Sequence, residues 1–160
     1  MKKIKKMISV IVVVLSMLTF TQSAFADITP ITSWTTTEYF GCEDGYSSYS
    51  VYESVDGISL NQASSTSCDL EITGTTYVSS GNQILIDYSY EEWDSGDGYI
   101  TISMYRGDGT SEYFDFYDAP RTGDGTVALD VSGYTGPVEI KFTSYTYGNR
   151  HLWANFYIHQ

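Results

Sequence analysis

Twenty carboxylates and two histidines frame the chemistry open to this 160-residue chain. Nucleophilic catalysis needs a base beside the nucleophile. His151 and His159 lack that company, and no G-x-S-x-G elbow occurs. Both histidines read as edge or surface residues. Carboxylates are the better enzyme candidates, because two acids flanking one bond can serve as acid and as base or nucleophile. Glu112 leads them, with Glu53, Glu71 and Glu139 available as partners. Glu112 abuts a tight turn, however, and no second motif accompanies it. The chain therefore reads as non-catalytic, with a small glycoside hydrolase as the enzyme alternative.

A second cluster suits a cation. Glu91, Glu92, Asp94 and Asp97 fall within Glu91–Gly98, which reads as an acidic turn. Calcium takes roughly six to eight oxygens, and such a turn offers carboxylates and carbonyls. EF-hand spacing is absent, so calcium stands as a possible cofactor against a plain solvated turn. The string Arg106-Gly107-Asp108 needs no recognition role, because tight hairpins favour Gly and Asp anyway. Cys42 and Cys68 are the only cysteines. An even pair in an exported chain is expected to form one disulfide, worth about 3 kcal/mol.

Export itself is read from the first 26 residues. Lys2, Lys3, Lys5 and Lys6 precede an apolar run, Met7 to Phe20, and Ala24-Phe25-Ala26 is a small-x-small cleavage site. This is the pattern of a secretory signal peptide cleaved after Ala26, too short in its apolar core for a membrane anchor. Residues 27–160 then form one domain, secreted and extracellular, with no membrane span of its own. Four basic residues remain, Arg106, Arg121, Lys141 and Arg150, against 20 acidic ones, a net charge of −16. Such a surface repels nucleic acid and anionic membranes.

The elements that must position these groups are strands. Tyr, Thr, Ser, Val, Ile and Gly dominate, and apolar residues alternate with period two. From Gln83 onward the inward sets are Ile84, Ile86, Tyr88 and Tyr90, then Ile100, Ile102 and Met104, then Phe114 and Phe116. Val127, Leu129 and Val131 follow, then Val138, Ile140 and Phe142, then Leu152, Ala154, Phe156 and Ile158. Trp34–Phe40, Tyr49–Val55, Gly57–Leu60 and Leu70–Val78 add further strands, and Asn61–Ser67 reads as a loop. Six strands with one buried face each predict an all-β, antiparallel two-sheet sandwich. Gly107–Gly109 is expected to close a three-residue hairpin that pairs Ile102 with Phe114 and Ile100 with Phe116. Gly133–Pro137 should let the chain reverse or cross between sheets, with Pro137 at a strand start.

The order Gly57-Ile-Ser-Leu60, polar segment, strand, Gln83-Ile-Leu-Ile-Asp-Tyr88 resembles the middle of MAM-type jelly-roll domains. Tyr99–Tyr105, Leu129–Phe142 and Leu152–Ile158 are similar to their later strands. The resemblance covers roughly Gly57 to Ile158. It implies a concanavalin-like jelly roll, a fold that binds glycans or proteins or serves as an accessory module on secreted enzymes. Asn155 stands where that family usually carries Asp, and the family uses more cysteines, so function does not follow from the likeness. Glu112-Tyr113-Phe114 is similar to the nucleophile strand of small xylanases, but this chain is short for them.

The same alternation turns Tyr99, Tyr105, Tyr113, Tyr117, Tyr145, Trp153 and Tyr157 outward, with Tyr99 facing Tyr117 across the hairpin. So many rings on solvent faces require a reason. They can stack on sugars, dock an extracellular partner or a second copy, or pack across strands for stability. The expectation is a secreted glycan- or partner-binding module, with a structural, self-associating protein as the alternative. Rings gathered on one face favour a ligand; rings spread over both sheets favour packing.

Overall fold

The computed structural model describes residues 25–42, 45–94, 97–116 and 122–159. The expected leader lies outside them apart from Phe25 and Ala26. Its expected cleavage point falls immediately before Asp27, the first residue of β1.

Among the described residues the chain forms eleven strands and no helix. They are β1 (Asp27–Ile28), β2 (Trp34–Phe40), β3 (Ser48–Ser54), β4 (Gly57–Ser64), β5 (Ser67–Ser80) and β6 (Gln83–Asp94). After them come β7 (Asp97–Arg106), β8 (Ser111–Asp115), β9 (Thr122–Asp130), β10 (Gly136–Tyr147) and β11 (Arg150–Ile158). One sheet has the order β1-β5-β10-β7-β8, with β2 also on β5; the other has the order β3-β4-β11-β6-β9. All these pairings are antiparallel. From β4 onward, β4-β11-β6-β9 faces β5-β10-β7-β8, and every connection except the β7–β8 hairpin passes between the two sheets. That interleaving is a jelly roll.

The hairpin has the expected register. Ile102 pairs with Phe114, the Phe116 amide donates to the Ile100 carbonyl at 2.9 Å, and Gly109 is left-handed at φ 87°. The segment after β9 crosses between sheets rather than reversing within one. Tyr134 fixes that crossing: its hydroxyl donates to the Pro137 carbonyl at 2.6 Å and accepts from the Gly107 amide at 2.8 Å.

Between the sheets lie Leu70, Ile72, Ile100, Ile102, Met104, Ile140 and Phe142 from one side, and Leu60, Ile84, Ile86, Leu129, Leu152 and Phe156 from the other. Phe142 and Phe156 stack across the interface at 4.4 Å. Phe114 departs from the pattern. It points inward but stays 42% exposed, because β8 is an edge strand with one neighbour.

Two expectations are corrected. Asn61–Ser67 is not a loop: β4 continues to Ser64 and only Ser65 and Thr66 turn the chain. Polar residues occupy inward positions there because partners await them. Buried Gln62 donates from Nε2 to the Cys68 carbonyl at 2.8 Å and accepts from Ser144 Oγ at 2.6 Å, which ties the two sheets together. Glu91–Gly98 is not an acidic turn either: β6 runs through Glu91 to Asp94, and β7 begins at Asp97. Glu92 faces inward and forms a buried ion pair with Arg150.

Cys42 and Cys68 form the expected disulfide, pinning the segment after β2 to β5. Replacing both by alanine should lower stability by about 3 kcal/mol. Calorimetry should read this as a drop of roughly 10 °C in melting temperature.

Candidate functional site

The two sheets sort the outward rings into two groups. Tyr99, Tyr105, Tyr113 and Tyr145 lie on the outer face of the six-stranded sheet, and Trp153 and Tyr157 on the outer face of the five-stranded one. Tyr117 lies outside the described residues. The rings therefore form no single surface, and each face has to be judged separately.

On the six-stranded sheet, the cross-strand partner of Tyr99 on β10 is Tyr145. Their rings stack with centroids 5.4 Å apart and planes 27° apart. Antiparallel pairing sets opposite residues close enough for such contact. Tyr147, two residues on along β10 and 57% exposed, faces the same way, opposite Asp97. Asp97, Gly98, Tyr99, Tyr145 and Tyr147 line an open cleft of about 400 Å³. Gly98 gives the cleft only backbone; a Cβ there would point to the inner side of the sheet, within 2.7 Å of the Tyr145 carbonyl and 3.3 Å of Arg150 Nε. Tyr105 lies further along the sheet, its ring 5.0 Å from the Lys141 ammonium, and Tyr113 stands alone on the edge strand, 74% exposed. Sequence reasoning missed Tyr147 and Asp97's place beside it, although Tyr147 shares the parity of Tyr145.

Acids surround this stack. Asp69 sits opposite Tyr145 in register, on the other side from Tyr99. Its Oδ1 is shielded from solvent and accepts no hydrogen bond among the described residues. Burial, and then the charge of Glu71, push the Asp69 carboxyl above its ordinary range. The Tyr99 phenol is likewise raised, by burial first and then by Asp69, Tyr145 and Asp115. Lys141 pairs with Glu71 at 3.1 Å and approaches Glu139 at 3.9 Å. Burial pulls its ammonium down, but the hydrogen bond and charge of Glu71 outweigh this and the net shift is upward.

The five-stranded face is differently built. Along β11, His151, Trp153, Asn155 and Tyr157 point outward in turn. His151 stacks on Trp93 at 5.5 Å, and Asn155 accepts from Ser59 Oγ through Oδ1 and donates from Nδ2 to Ser89 Oγ at 3.5 Å. Trp153 is 38% exposed between Asn61 and Glu91. At the end of this row His159 Nε2 meets Asp87 at 2.7 Å, and Thr126 donates to the other Asp87 oxygen. Two of these rings are engaged by neighbours, His151 by Trp93 and Tyr157 by His159.

The remaining candidates do not converge. Glu91 and Glu92 point to opposite faces of β6, Asp97 lines the cleft of the other sheet, and the Asp94 side chain lies outside the described residues. No group of three or more metal-type ligands occurs among the described residues. Glu112 faces the inner side of its sheet beside Met104, and its carboxylate accepts the Asp130 amide at 2.7 Å. Glu71 and Glu139 face the outer side of that sheet, and Glu53 belongs to the other sheet. Glu112 and these acids do not share a surface on which one bond could lie between them.

No protein-family model matches the chain, and no curated protein matches it. Solved structures do. The chain is similar to the carbohydrate-binding module TmCBM61, solved in complex with beta-1,4-galactotriose. The two are 8% identical, with 82% of this chain and 90% of that one covered and a TM-score of 0.57. It is also similar to the Family 11 carbohydrate-binding module of the Clostridium thermocellum cellulosomal cellulase Lic26A-Cel5E. There the identity is 10%, the coverage 86% and 94%, and the TM-score 0.42. At such identities the likeness is one of fold.

Proposed function

We propose that this protein is an exported, non-catalytic glycan-binding module, and that its site is the cleft at Tyr99, Tyr145 and Tyr147. The observation that carries this reading is the stacked Tyr99–Tyr145 pair flooring an open cleft with polar groups at its rim. Ring faces cover the apolar faces of sugars, and the surrounding carboxylates accept their hydroxyls. A shared fold with a galactotriose-binding module supports the reading, and the site itself supplies its chemistry. The disulfide and the leader-like first 26 residues support export.

The test is a glycan array followed by titration calorimetry with the best binder. Tyr147→Ala should weaken binding by about tenfold, the size of one lost hot-spot contact. Trp153→Ala and Tyr157→Ala, on the opposite face, should leave it unchanged. Loss of binding in the Trp153 variant alone would move the site to the five-stranded sheet. Silence on the array, together with concentration-dependent sedimentation, would favour the self-associating alternative.

A further inference from the structure

The charge around the cleft restricts which sugars it can take. The outer face of the six-stranded sheet carries Asp69, Glu71, Asp97, Asp115 and Glu139. Among the described residues Lys141 is its one basic side chain, and that ammonium is already shared between Glu71 and Glu139. Asp97 lines the cleft directly, and Asp69 flanks Tyr145 on the side away from Tyr99. A uronic acid or a sulfated sugar would bring like charge into this field. A neutral sugar would bring hydroxyl donors only. A protonated amine would bring three donors and the complementary charge, and it could also lie against the electron-rich faces of Tyr99 and Tyr145.

We infer that the cleft prefers an amino-sugar polymer with free, protonated amines, one ammonium being received by Asp97 beside the Tyr99–Tyr145 stack, while Asp69, on the far side of Tyr145, adds to the negative field along the polymer's path. This rests on the glycan-binding reading above and names its ligand class. The cleft and its rings make the site; the carboxylates select the charge of what enters. Attraction between partly exposed charges is screened by salt, whereas ring stacking is not. The preference for the amine should therefore fade as salt is added, while binding of the neutral parent sugar holds steady.

Calorimetry with β-1,4-linked hexamers tests this at about pH 5, because neighbouring ammoniums and ring oxygens pull the amines of the oligomer below the ordinary α-amino range. The glucosamine and galactosamine hexamers are compared with their N-acetylated forms and with the glucose and galactose hexamers. The better amine is expected to bind about tenfold more tightly than its neutral counterparts at low salt. Asp69→Asn and Asp97→Asn together should erase that margin, leaving the amine hexamer bound no more tightly than its neutral counterparts. A folding control accompanies them. The raised Asp69 carboxyl means the fold holds that proton more tightly than the unfolded chain, so ionisation costs stability as pH rises through the folded value. Asp69→Asn should thus be at least as stable as the parent at neutral pH, which keeps a loss of selectivity from being misread as unfolding. Equal affinity for amine and neutral hexamers overturns the inference and leaves the glycan reading intact. A preference that survives the double substitution overturns the assignment to these acids. Polylysine competing as well as the glucosamine hexamer shows charge alone at work and also overturns it. Binding of none of these hexamers, nor of any glycan on the array, removes the broader reading as well.

Discussion

Arg150→Met is expected to destabilise the domain by about 3–5 kcal/mol, as measured by urea unfolding at neutral pH. Arg150 and Glu92 are both buried, and their ion pair lies between the sheets. Removing one partner leaves the other charge in a low-dielectric interior without compensation. Removing both is a different experiment. Arg150→Met with Glu92→Leu should recover most of the loss, because apolar side chains of similar size replace a pair that cost desolvation to bury. If the single and double variants were equally destabilised, the guanidinium would be acting chiefly through packing. The pair also bears on the site. A Cβ on Gly98 would come within 3.3 Å of Arg150 Nε, so the guanidinium underlies the strand that floors the cleft. The single variant should therefore lose glycan affinity too, and the double variant should regain it.

The pair also shows how far the sequence could be followed. Alternation through Ile84, Ile86, Tyr88 and Tyr90 continues to Glu92, and alternation back from Ile158 through Leu152 continues to Arg150. Both charges sit on the inward parity, but an apolar pattern has no way to announce an inward carboxylate until its partner is known. The same reason hid the second half of β4. Leu60, Gln62 and Ser64 keep the parity, and their polar atoms are satisfied by Cys68, Ser144 and Gly148, residues distant or across a turn. Where inward residues were apolar, as in β6, β7, β10 and β11, the strands were legible almost to their ends. β1, with two residues, is too short to show a period.

The outward parity of the rings was legible as well, but their grouping was not. Which sheet a strand joins depends on pairings such as β10 with β7 and β11 with β4, between segments far apart in the chain. Trp153 and Tyr145 stand eight residues apart and share a parity, yet they face away from each other across the sandwich. Likewise, Tyr99 meets Tyr145 on β10, a neighbour that alternation along β7 could not name, while the expected Tyr117 lies outside the described residues. By the layout criterion, rings on both sheets argue that some serve packing. His151 on Trp93, and Tyr105 over Lys141, fit that role.

Tyr99→Ala combined with Tyr145→Ala separates packing from binding, and its effect on binding should be the largest of any surface change. Each ring is expected to be worth about 1.5 kcal/mol to a stacked sugar, so the double variant should bind roughly 100-fold more weakly. Its cost in stability should be smaller, about 1–2 kcal/mol, the sum of a cross-strand aromatic pair and the area it buries. The phenylalanine versions sharpen the distinction. Tyr99→Phe with Tyr145→Phe keeps the stack and its stability but removes two hydroxyls, so only the hydrogen-bonded part of the affinity should go. If the pair served packing alone, the alanine variant would lose stability while glycan binding stayed at the parent level. If the pair is the sugar platform, calorimetry will show affinity falling in the order parent, phenylalanine, alanine, while unfolding curves of the first two nearly coincide.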